Sequence, residues 1–143
     1  MKRTLVLALA LALVAAACAK KEAEKPVTQD LNPLLAEWTA PFGTPPFGEI
    51  KEAHFMPAFQ EGMARQNGEI EAIVSSAEPP SMTNTIEALE RSGALLSRVS
   101  NLFGALTSNH TNEELQKIVA DLAPILSRHV DDITLNARLF ERV

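Results

Sequence analysis

The sequence is short of the side chains that carry most enzyme chemistry: one cysteine and three histidines in 143 residues. A single thiol cannot form an internal disulfide, and Cys18 stands far from any cluster that could add thiolate ligands for a metal. His54, His110 and His129 are too far apart in sequence for a zinc-protease helix, which needs two imidazoles one turn apart beside a general-base carboxylate. There is no Gly-rich phosphate loop and no G-x-S-x-G nucleophile turn. On pattern alone, no residue of this chain is assigned a catalytic or metal-binding role. Basic residues are scarce too, with 13 Lys and Arg against 18 Asp and Glu, so no basic stripe for nucleic acid can be built. The apolar run from Leu5 to Ala17 falls short of the about 20 residues a bilayer span requires.

What is present begins with MKRTLVLALALALVAAACAKK, a short basic start, an apolar run and small residues, the plan of a cleaved export signal. Ala15, Ala16 and Ala17 directly before Cys18 resemble a bacterial lipoprotein signal, in which the cysteine is acylated and becomes the new N-terminus. The branched residue usual three places before the cysteine is Ala15 here, with Val14 one place too early. An ordinary secretory signal ending A-x-A is the alternative. Residues 1–17 are thus expected to be removed, with Cys18 as the lipid attachment. Ala19 in place of aspartate points, by resemblance, to the periplasmic side of the outer membrane. Two or three acyl chains would hold the protein firmly, because one alone is marginal. Residues 18–32, charged and poor in large apolar side chains, read as a tether.

From Pro33 the composition changes. PLLAEWTAPFGTPPFGEI cannot be a regular helix, because Pro41, Pro45 and Pro46 remove donors and fix φ. Yet all but two of the aromatic residues fall between Trp38 and Phe59, and a solvated linker would have little use for such large apolar surface. An extended arm laid over a packed surface accounts for both. A first helix is expected from Met56 and Pro57 to about Ser75, with Phe59, Met63, Ile70, Ile73 and Val74 on its apolar face. A second, NTIEALERSGALLSRVSNLFGAL, has Asn84 as N-cap and Glu87 in capping-box position. Its apolar arc is wider than a surface helix needs. After TSNH a third restarts with Thr111 as N-cap and Glu114 in the box, then Leu115, Ile118, Leu122, Ile125, Leu126, Val130 and Ile133, with a kink expected at Pro124. The short link makes the two helices antiparallel neighbours. Fold class is therefore all-α: an antiparallel hairpin, a further helix and an extended arm, with more apolar surface than it can bury alone. Leu135, Leu139, Phe140 and Val143 continue the spacing with no closing signal read among them, so the helix is expected to run on into a longer protein.

Three strings go beyond periodicity: NPLLAEWTAPFGTPPFGEIKEAHFMPAFQEGM, NTIEALERSGALLSRVSNLFGALTSNHTNEELQ and LNARLFERV. In this order they resemble the N-terminal part of the thimet oligopeptidase family of zinc metallopeptidases, in its bacterial peptidyl-dipeptidase branch. The resemblance runs from Asn32 to Val143, with Glu52 where relatives often carry proline. It implies a large helical enzyme with a channel between two halves that cleaves short peptides. Its zinc is held by a His-Glu-x-x-His helix and a further glutamate, all in the C-terminal half; the metal activates a water and the motif glutamate acts as base. No position of this chain matches those residues, so residues 33–143 are expected to be the helical region that precedes the catalytic domain, inactive and zinc-free alone. In such enzymes these helices form channel wall and limit substrate size, and the missing catalytic domain would pack on their apolar faces. The alternative is a complete lipid-anchored helical lipoprotein that binds a partner and has no catalysis.

Overall fold

A computed structural model describes residues 32–143. Cys18, the expected signal and nearly all of the tether lie outside the described residues. Those residues are helical, with no strand among them, as the apolar periodicity requires.

The central element is α1, Phe55–Val74, which starts one residue before the expected Met56 and holds Pro57 in its first turn. Phe55, Ala58, Phe59, Gly62 and Met63 recur at helical spacing and are buried. Gly62 lets a second helix come close: a β-carbon there would stand 3.0 Å from the Leu96 backbone. Packed on that face are Leu34, Val99, Leu102, Phe103, Leu115, Ile118 and Leu122, which form the main core. Phe103 stacks tilted on Phe55 at 4.9 Å between centroids and edge-on to Phe59 at 5.4 Å. A smaller cluster of Ile70, Ile73, Val74 and Leu139 closes the far end of α1.

The segment expected as one helix capped by Asn84 is corrected twice. It begins earlier, with Ser81 as N-cap: Ser81 Oγ accepts the Asn84 N–H at 3.2 Å and Asn84 Oδ1 accepts the Ser81 N–H at 2.9 Å. Asn84 therefore fills the third position of a capping box rather than its first. A π-helical turn, Met82–Ile86, leads into a short helix α2, Glu87–Arg91, and the path then breaks. Gly93 has φ +72, in the left-handed region that a side chain disfavours, and α3 restarts over Ala94–Asn109.

Helix α4, Glu113–Thr134, is continuous with Pro124 inside it. Its N-cap is Asn112, one residue after the expected Thr111: Asn112 Oδ1 accepts the Leu115 N–H at 2.8 Å. The expected single run to the last residue is also corrected. Helix α4 stops at Thr134, and Asn136 caps a separate α5, Ala137–Arg142, by accepting the Leu139 N–H at 3.1 Å. From α5, two arginines reach the C-terminal end of α1. Arg138 donates to the Val74 carbonyl at 3.3 Å, and Arg142 to the Ser76 and Glu78 carbonyls at 3.0 and 3.1 Å. Cations suit this end because the exposed carbonyls carry the negative pole of the helix dipole.

The arm is only partly laid down. Leu34 is buried; its N–H donates to Asn32 Oδ1 at 3.0 Å and its carbonyl accepts from Arg98 at 2.9 Å. Arg98 also lies over the Trp38 ring at 4.8 Å, a cation–π contact. Phe42 and Phe47, expected on the packed surface, are instead exposed. Phe42 tops a 3-10 turn, Pro41–Gly43, with φ +62, a strained backbone for a bulky residue.

Where the arm enters α1, His54 Nδ1 accepts the Lys51 N–H at 3.1 Å, which requires an unprotonated nitrogen. Burial, and then the Lys51 charge, pull His54 below its ordinary 6.5. A histidine with a depressed folded pKa lends stability above its unfolded pKa, and that stability is lost as pH falls through the folded value. Glu52 has the same sign at lower pH: its own backbone N–H, then Asn112 Nδ2 at 3.0 Å, hold it below 4.5. The urea midpoint should therefore fall modestly from about pH 8 to about pH 5. His54→Asn keeps an acceptor for Lys51 without titrating there, so its midpoint should fall by less.

Candidate functional site

The three histidines do not converge. His54 caps the arm, His110 ends α3 in solvent, and His129 is buried on α4. His129 is turned toward α1: its Nε2 lies 2.7 Å from Gln66 Oε1. With the amide oxygen facing it, Nε2 carries the proton. Gln66 Nε2 approaches Ser92 Oγ at 3.5 Å, and one turn along α1 Glu69 accepts the Gly93 N–H at 2.7 Å. Two α1 side chains thus hold both the break before α3 and the one buried imidazole of α4.

Above His129, helices α3 and α4 part to leave a groove of about 580 Å³. Leu96, Leu126, Val130 and Ile133 supply its apolar lining, and Ser97, Ser100, Asn101 and Thr134 its polar edge. The buried stripe of α4 runs Leu115, Ile118, Leu122, His129, which leaves Val130 54% exposed and Ile125 40% exposed. The sequence signal for His129 was present: it stands seven residues after Leu122, on the same helix face. Its partner Gln66 had none, because nothing local marks a glutamine that caps a distant imidazole.

Chemically, the groove offers hydrogen bonds and apolar contact. Among the described residues, no three His, Cys, Asp or Glu side chains come together where they could hold a metal ion. No donor set among the described residues fits the zinc implied by the family resemblance.

These features define a helical unit with a groove, and comparison with known proteins identifies the class it is homologous to: peptidases. The dipeptidyl carboxypeptidase of Salmonella typhimurium is 48% identical over 112 residues, 78% of this chain and 16% of that protein. The Escherichia coli dipeptidyl carboxypeptidase is 44% identical over 113 residues, 79% of this chain and 17% of that protein. Oligopeptidase A of Salmonella typhimurium is more distant, 30% identical over 98 residues. No protein-family model matches the chain. The chain therefore spans only 16% and 17% of the dipeptidyl carboxypeptidases it matches.

Proposed function

We propose that this chain is a segment of an exported, zinc-dependent peptidyl-dipeptidase, which releases dipeptides from the carboxyl ends of short peptides. The segment contributes helical wall beside the substrate path, and the zinc ligands and the general base lie elsewhere in the protein. The observation that carries this reading is the 48% identity over 112 residues to a dipeptidyl carboxypeptidase. Acylated Cys18 would hold the enzyme on the periplasmic side of the outer membrane, with short peptides as substrates.

The test is to extend the reading frame past the codon for Val143 and assay both lengths for dipeptide release from an N-blocked short peptide. The longer protein should act and lose activity to a chelator, while the 143-residue chain should neither cleave nor take up zinc. Cleavage by the short chain, or chelator-insensitive cleavage by the long one, sinks the reading. Loss of palmitate labelling in Cys18→Ser checks the anchor separately. A stop codon directly after Val143 would favour a lipid-anchored interaction module instead, a reading that the exposed Leu135, Phe140 and Val143 also suit.

A further inference from the structure

Between Glu37 and Glu49 no residue carries a charge, and both phenylalanine rings of this stretch face outward: Phe42 is fully exposed and Phe47 is 56% exposed. The backbone under Phe42 is built to hold it there. Its φ of +62 is strained for a bulky residue, and the turn is pinned by the Gly43 N–H on the Ala40 carbonyl at 3.0 Å and by Thr44 Oγ1, which donates to the Pro41 carbonyl at 2.7 Å. Pro45 and Pro46 stiffen the return. A second turn follows around Phe47, closed by the Glu49 N–H on the Pro46 carbonyl at 2.9 Å. Backbone strain persists only where the surrounding structure enforces it, and it concentrates in segments that meet something. The result here is a stiff, uncharged loop with one outward ring on each of two successive turns.

The chain that leads into the fold bears on what this loop meets. Asn32 and Pro33 line a cavity of about 440 Å³ that Thr44, Pro45 and Pro46 line as well. Asn32 is fixed there, its Nδ2 donating to the His54 carbonyl at 2.9 Å. Residues 18–31 therefore join the fold beside the loop. From Asn32 back to Cys18 the chain can reach at most about 50 Å.

We infer that the Phe42 and Phe47 loop enters the acyl boundary of the bilayer that carries the Cys18 lipid, and so fixes which face the protein turns toward the membrane. The inference rests on the reading that Cys18 is acylated. Acyl chains at the end of a tether supply hold without direction, whereas two rings beside the point where the tether joins give the body one preferred face. Phenylalanine suits that depth, since interfacial segments bury such side chains about 5–10 Å into the headgroup and acyl boundary. Glu37, Glu49 and Lys51 confine entry to the loop itself, because charges are costly in hydrocarbon. The attraction is apolar and therefore indifferent to salt.

The experiment uses the full-length protein reconstituted in vesicles of phosphatidylethanolamine and phosphatidylglycerol. A fluorophore is attached through Thr44→Cys, which leaves both rings in place, or through Glu90→Cys on the exposed side of α2 as reference; protein with neither substitution gives the labelling background. Quenching by lipids with a nitroxide on the acyl chain should be about threefold or more stronger at Thr44→Cys than at the reference. It should persist in about 1 M NaCl, where the Debye length is about 3 Å. Adding Phe42→Ser and Phe47→Ser should bring it down to the reference level, and both positions are exposed, so the fold tolerates the change. Equal quenching at the two sites overturns the inference, as does loss in salt, which assigns the contact to charge. A label at position 44 that is shielded from the lipid quencher and from aqueous iodide alike places the loop against protein and overturns it too. Flotation and palmitate labelling separate this contact from the anchor. Protein that carries palmitate and floats, with its label unquenched, keeps the anchor and rejects the loop contact. Protein without palmitate that floats only while both rings are present does the reverse, and protein that neither carries palmitate nor floats rejects both.

Discussion

Phe59→Ala should lower stability by about 3–5 kcal/mol, the largest effect of any single substitution proposed here. Phe59 is 1% exposed and meets Phe103 edge-on, so truncation removes both its burial and an aromatic contact. The surrounding residues come from the arm, α1, α3 and α4, and no one of these elements can move in to fill the cavity without leaving the others. Urea denaturation followed by far-UV circular dichroism measures the loss. Phe42→Ala is the control: an equally large ring, but fully exposed, so its removal should shift stability by no more than about 0.5 kcal/mol. A loss below about 1 kcal/mol at Phe59 would contradict its place in the core.

Gly93→Ala is the second large effect, expected at roughly 2–5 kcal/mol, and it has two separable causes. At φ +72 a β-carbon crowds its own backbone, which costs about 1–2 kcal/mol. The same β-carbon would stand 2.5 Å from Gln66 Nε2. The amide can swing away, but it then leaves the buried His129 ring without its partner, at about 1–3 kcal/mol. The double variant Gly93→Ala with Gln66→Ala separates the causes. If displacement of Gln66 contributes, the two substitutions together cost less than their sum, whereas full additivity would confine the effect to the backbone.

The long apolar stripes were legible because helical burial repeats along the chain. Phe59 and Met63 on α1, and Leu115, Ile118 and Leu122 on α4, are buried as their spacing requires. The breaks were not legible, and glycine shows why. Gly62 and Gly104 stay helical while Gly93 turns left-handed, although each costs a helix about the same 1 kcal/mol. The difference is made by Glu69, which accepts the Gly93 N–H from 24 residues away. Asn136 was passed over for a similar reason, since an asparagine between apolar positions declares itself a cap only when its side chain meets the Leu139 N–H. The arm misled in the other direction. Trp38 is held by Arg98, but Phe42 and Phe47 belong to the same aromatic cluster in sequence and stand in solvent. The His129 to Gln66 pair spans 63 residues, beyond the reach of any local pattern. Homology was the most specific signal because it rests on ordered strings of residues rather than on periodicity.

Arg138 and Arg142 also set an order of events during synthesis. The carbonyls they satisfy, at Val74, Ser76 and Glu78, are made 64 to 66 residues before the arginines that reach them. At about 5–20 residues per second, the tail of α1 waits several seconds on the ribosome without its clasp. Among the described residues the first long helix to be translated thus has its end fastened only once α5 is made, and until then that end remains within reach of whatever machinery carries the unfinished chain.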